Sequence, residues 1–81
     1  MADTLRIPAD VCQGAMRVTM TGNGRAWVEN YRGILEYTEH SVLLQGKEGR
    51  VCFEGERLCI EYYTEEDMLI RGRIKAVRYD I

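Results

Sequence analysis

The chain reads as an all-β domain, an antiparallel meander of about eight short strands curled into a β-sandwich or an open barrel-like roll. Three observations predict it. From Met16 onward apolar residues recur at every second position, the period of a strand with one buried face. A short pattern (apolar, any, apolar, any, Gly) appears as Val18–Gly22, Val42–Gly46, Val51–Gly55 and Met68–Gly72, each a strand closing on a glycine turn. No stretch keeps a helical period. The copies are unevenly spaced, so they are strand-and-turn grammar and not a solenoid repeat.

Residues 1–15 carry little periodicity and read as a flexible arm, with Leu5, Ile7 and Val11 able to tack it onto the sheet; residues 16–81 form the single domain. Loop lengths follow from keeping apolar partners on one face. A three-residue loop at Gly22-Asn23-Gly24, with Gly24 left-handed, pairs Met20 with Ala26 and Val18 with Val28. A two-residue Asn23-Gly24 turn would set Met20 against Trp27, a poorer match. The Tyr31-Arg32-Gly33 corner stays open, although Asn30 suits a side-chain-bonded turn and Gly33 a positive φ. Glu39-His40 as a loop pairs Tyr37 with Val42 and Leu35 with Leu44, and Gly46–Gly49 pairs Leu44 with Val51 and Val42 with Phe53. Gly55-Glu56 suits a type II′ turn that sets Phe53 opposite Leu58, Val51 opposite Ile60 and Cys52 opposite Cys59. Thr64–Glu66 as a loop pairs Tyr62 with Met68 and Ile60 with Ile70, and Gly72 is either a turn or a bulge within one long strand.

Parity leaves a second face that mixes polar residues with Trp27, Ile34, Leu43, Cys52, Cys59, Tyr63, Leu69 and Val77. Scattered exposed apolar residues are ordinary, and the arm could cover some. The sharper reading is packing on another chain, with Trp27, Leu43 and Leu69 as contact residues. An 81-residue chain has a thin core, and an open meander leaves two edge strands, so a homo-oligomer is expected.

The chemistry-bearing residues converge nowhere. Cys52 and Cys59 lack the further ligands a tetrahedral metal site needs, and read as small apolar thiols. His40, the one histidine, sits at a turn beside Ser41, and adjacency does not make a triad. Glu65-Glu66-Asp67 is a solvated acidic turn. Gly22-x-Gly24 and Gly46–Gly49 lack the spacing of dinucleotide and phosphate loops. Arg71, Arg73 and Lys75 alternate as a basic stripe that Glu29, Glu54 and Glu61 could balance. With a net charge of −2 and no cluster of exposed aromatics, nucleic acid is not an expected partner. No apolar run fits a signal peptide, nor the roughly 18 residues of a membrane helix. The expectation is therefore no enzymatic activity, no cofactor and no metal, in a cytoplasmic protein with three reduced cysteines and no membrane insertion.

Val28-Glu29-Asn30-Tyr31-Arg32-Gly33-Ile34-Leu35-Glu36-Tyr37-Thr38 resembles the signature segment of the YabP/YqfC family of sporulation proteins. The likeness continues through Gly49–Val51, Gly55–Ile60 and Leu69–Ile74, and the short arm with Ile7-Pro8 favours the YqfC branch. The cysteines at 52 and 59 are not part of the family pattern. The resemblance implies a small non-catalytic protein of the sporulating cell, in the mother cell. It implies action in spore maturation or coat assembly, through contacts with other sporulation proteins that include membrane-bound ones. Tyr31 and Arg32, an amphipathic ring beside a guanidinium, would then offer a partner contact. The alternative is a small ligand-binding β-domain, which needs a pocket of converging polar groups.

Overall fold

The computed structural model describes residues 15–80, so the predicted arm lies almost wholly outside the described residues. Its strands are β1 (Arg17–Thr21), β2 (Arg25–Glu29), β3 (Gly33–Tyr37), β4 (Ser41–Gln45), β5 (Arg50–Tyr63) and β6 (Asp67–Asp80). They form one antiparallel sheet in the order β1-β2-β6-β5-β4-β3. The sheet is not closed into a barrel, β1 and β3 are its edges, and no helix occurs among the described residues.

The organising element is the ribbon of β5 and β6, each 14 residues long. The β1–β2 hairpin lies along the β6 side near the ribbon's turn, with β2 paired to residues 67–71. The β3–β4 hairpin lies along the β5 side at the opposite end, with β4 paired to residues 50–54. Each flanking turn extends the pairing toward the ribbon's middle. The Ile74 and Gly72 N–H groups donate to the Asn23 (2.8 Å) and Gly24 (3.2 Å) carbonyls, and the Leu58 and Gly55 N–H groups to those of Glu39 (2.8 Å) and His40 (3.1 Å).

The predicted hairpin at Gly55-Glu56 does not form, and β5 runs straight through it. Phe53 therefore lies opposite Val77, and Cys52 and Cys59 face Arg78 and Arg71 instead of each other. Gly55 is needed for a close approach: a Cβ there would run into the Arg73 carbonyl. Gly72 (φ +139°) does the same from β6, its missing Cβ falling 2.6 Å from the Arg57 oxygen, and is a bulge within one long strand. With neither glycine turning, there are six strands where about eight were expected.

Local registers follow the sequence. Val18 pairs with Val28 and Met20 with Ala26, though the left-handed residue of that loop is Gly22 (φ +58°) and not Gly24. Val42 meets Phe53 and Leu44 meets Val51 as expected. At the corner the positive φ belongs to Asn30 (+67°), not Gly33, and the Asn30 amide donates to the Ala15 carbonyl (3.0 Å). Bulges shift two other predicted pairs. Ile34, not Leu35, lies opposite Leu44, and beyond Glu61 Tyr63, not Tyr62, lies opposite Met68.

The inner face gathers one cluster in which Ala26, Val28, Val42, Leu44, Phe53, Met68 and Ile70 are fully buried. Met16 reaches Gly46 at the β4–β5 turn, bringing the start of β1 to the far hairpin. Four expected inner-face residues are half exposed instead: Met20 and Leu35 on the edge strands, Tyr37 at the end of β3, and Tyr62 past its bulge.

Candidate interaction surface

On the outer face, β2 and β6 stack three rows in register: Arg25 beside Arg71, Trp27 beside Leu69, and Glu29 beside Asp67. Their orientation is fixed by the intervening Ala26, Val28, Met68 and Ile70, all fully buried on the other side. Thr19 from β1 and Tyr62 from β5 extend the middle row. The Trp27 and Tyr62 rings meet edge-on, with centroids 5.6 Å apart and planes at 63°. The bulge beyond Glu61 delivers Tyr62 here, so alternation alone missed it.

Of the expected contact residues, the structure brings Trp27 and Leu69 together and sets Leu43 apart. Leu43 is half-buried at the other end of the ribbon, between Glu36 and Cys52. Tyr31 is corrected: only 7% exposed, it belongs to the core, and its hydroxyl donates to the Thr64 carbonyl. Burial, with the nearby Tyr63 and Asp67 charges, raises its phenol above the ordinary 10.0. Arg32 remains exposed at the corner, where its backbone N–H donates to the Gln45 carbonyl (2.7 Å). Past it the edge strand β3 exposes Ile34, Leu35 and Tyr37, a second apolar surface.

The basic stripe is balanced within the chain. Arg71 pairs with Glu61 (3.1 Å), Lys75 and Arg73 with Glu56 (3.0 and 3.9 Å), and Arg78 with Glu54. Lys75, by hydrogen bond and by charge, holds the Glu56 carboxyl below the usual carboxylate range, and Arg73 adds to this. Glu29 pairs with Arg17 at 3.8 Å. Between the ribbon strands, Arg57, Cys59, Glu61, Arg71 and Gly72 rim a shallow open groove, without the enclosed polar convergence a small ligand needs.

The chemistry-bearing residues stay apart. Thr38 and Thr64 organise matching turns: the Thr38 hydroxyl accepts from the His40 and Ser41 N–H groups (3.1 and 2.9 Å), and that of Thr64 from those of Glu66 and Asp67 (3.2 and 3.0 Å). His40, Glu65 and Glu66 are thus exposed turn residues, whereas Asp67 is half-buried and opens β6. The Cys52 sulfur lies 3.8 Å from the Ser41 hydroxyl. Among the described residues no group of His, Cys, Asp and Glu could hold a metal ion, and no helix is long and apolar enough to cross a membrane.

The model of the YabP family matches residues 13–81. The uncharacterized protein YqfC of Bacillus subtilis (strain 168) is 37% identical over 75 residues, covering 93% of this chain and 81% of that protein. No solved structure matches. The chain belongs to the YabP family, and membership supports a sporulation-associated protein.

Proposed function

We propose that this chain is a non-enzymatic protein of the sporulating cell's cytoplasm, in the mother cell, and that it acts in spore maturation or coat assembly by binding other proteins. The observation that carries the reading is the outer-face row of Trp27, Leu69 and Tyr62, which no described strand covers. Trp27 and Leu69 are half-buried and Tyr62 is 43% exposed, so a partner would add the remaining part of the roughly 1.5–3 kcal/mol that full burial of a large side chain contributes. The partners are other sporulation proteins, membrane-bound ones among them, and further copies of this chain, met through the sheet face or the β3 edge. Polypeptide fits this surface better than nucleic acid, because the stripe arginines already have acidic partners.

The test is complementation in a spore-forming host that lacks the gene. The expected result is a drop in heat-resistant spores on deletion, rescue by wild type and by His40→Ala, and failure of Trp27→Glu to rescue although its circular dichroism is that of a folded β protein. Normal sporulation in the deletion strain removes the role. Full rescue by Trp27→Glu removes this face from it, and failure of His40→Ala points to chemistry instead of contact.

A further inference from the structure

Resting on the reading of the outer face as a contact surface, we propose that this face is self-complementary and joins two copies of the chain about a two-fold axis running along the Trp27–Leu69 row. On β2 the outward residues are Arg25, Trp27 and Glu29; on β6 they are Asp67, Leu69 and Arg71. The strands are antiparallel, so the two strings align charge with like charge: a basic row, an apolar row and an acidic row. Successive rows lie roughly 7 Å apart, two residues along a strand. Like charges directly opposite each other destabilise a sheet, and in one copy Arg17 and Glu61 offset this only at Glu29 and Arg71. Among the described residues Arg25 and Asp67 have no ion pair, while Glu29 and Arg71 have one each, with Arg17 and Glu61.

A second copy turned over about that axis resolves this. Its Glu29 comes over Arg25 and its Asp67 over Arg71, with the same two contacts repeated on the other side of the axis. Trp27 and Leu69 then meet their own counterparts, flanked by Tyr62. An axis along the strands would instead set basic row on basic row, so the charges select one orientation of two. This is the pattern an isologous interface requires, one patch that complements itself. The opposed charges set orientation and register, and the apolar row supplies the burial.

The experiment is sedimentation of the full chain at low and physiological salt, with two single reversals on β2. In the proposed dimer residue 25 of each copy faces residue 29 of the other. Arg25→Glu and Glu29→Arg should therefore each weaken self-association by at least about tenfold, and an equimolar mixture of the two should restore a one-to-one dimer. Circular dichroism checks folding, and the equivalent pair on β6, Arg71→Asp with Asp67→Arg, serves if either β2 variant fails to fold. A wild-type chain that is monomeric at high micromolar concentration overturns the proposal, as does a mixture that stays monomeric. Self-association untouched by both reversals overturns this register while leaving the contact reading in place. The sporulation test fails or succeeds independently of these outcomes.

Discussion

Tyr31 ties three separated pieces of chain together. Its ring lies in the core, its hydroxyl bonds the Thr64 carbonyl at the ribbon's turn, and the next backbone N–H, that of Arg32, reaches Gln45 at the end of β4. Asn30 makes this possible by turning through a left-handed conformation that asparagine tolerates better than most residues, and by bonding Ala15 and Glu66. The buried phenol favours its neutral form, so its folded-state titration lies above the ordinary 10.0. Stability from a raised pKa is fully present below the unfolded value and is lost as pH rises through the folded one. Tyr31→Phe is expected to lose about 1 kcal/mol near neutrality with the hydrogen bond, and to lose less further stability than wild type on going to alkaline pH. Urea unfolding near neutrality and at a pH above the ordinary tyrosine value measures both; parallel losses in the two proteins would refute the assignment.

At the scale of the element, the glycines separate what the sequence disclosed from what it did not. Registers set by local turns were legible: the β1–β2 and β4–β5 pairings join neighbours in sequence, and matching apolar residues fixes them. Gly55 was not legible, because a glycine that turns a chain and one that lets two backbones touch look alike in one dimension. The outer-face rows were half legible. Arg25-Ala26-Trp27-Val28-Glu29 and Asp67-Met68-Leu69-Ile70-Arg71 run in opposite charge order, the signal that they pair antiparallel with like beside like, but they are some 40 residues apart and that partnership is non-local. The bulges that re-aimed Tyr62 and moved Ile34 opposite Leu44 left no mark in the alternation. Gly55→Ala must displace the Arg73 carbonyl, which is backbone and cannot swing aside, so the cost should reach about 2–3 kcal/mol. Gly22→Ala, at a turn with open space around the missing Cβ, should cost only the left-handed conformation, about 1 kcal/mol. Chemical denaturation of the two variants checks the difference, and equal costs would count against a ribbon crossing at Gly55.

For the molecule as a whole, the question is whether the two ends of the ribbon fold as one. The flanking hairpins do not pair with each other, and each attaches to a different strand at a different end. Cooperativity passes through the ribbon, through the Asn30–Arg32 corner and the Met16–Gly46 contact, and through the inner cluster, in which Val42, Leu44 and Phe53 from one end join Ala26, Met68 and Ile70 from the other. The only tryptophan, Trp27, sits at the turn end, and Phe53, opposite Val42 and Val77, sits at the far end. Phe53→Ala removes the largest fully buried side chain, a change of about 3–5 kcal/mol in a close-packed core. If the cluster couples the ends, Trp27 fluorescence should report that loss in full, with its midpoint moving together with that of the far-ultraviolet circular dichroism. A fluorescence transition that stays at the wild-type midpoint while the dichroism shifts would mean two hairpins folding separately on a shared ribbon. The outer face at the turn end would then keep its shape when the far end melts, and a mutation there would leave partner binding through Trp27 intact.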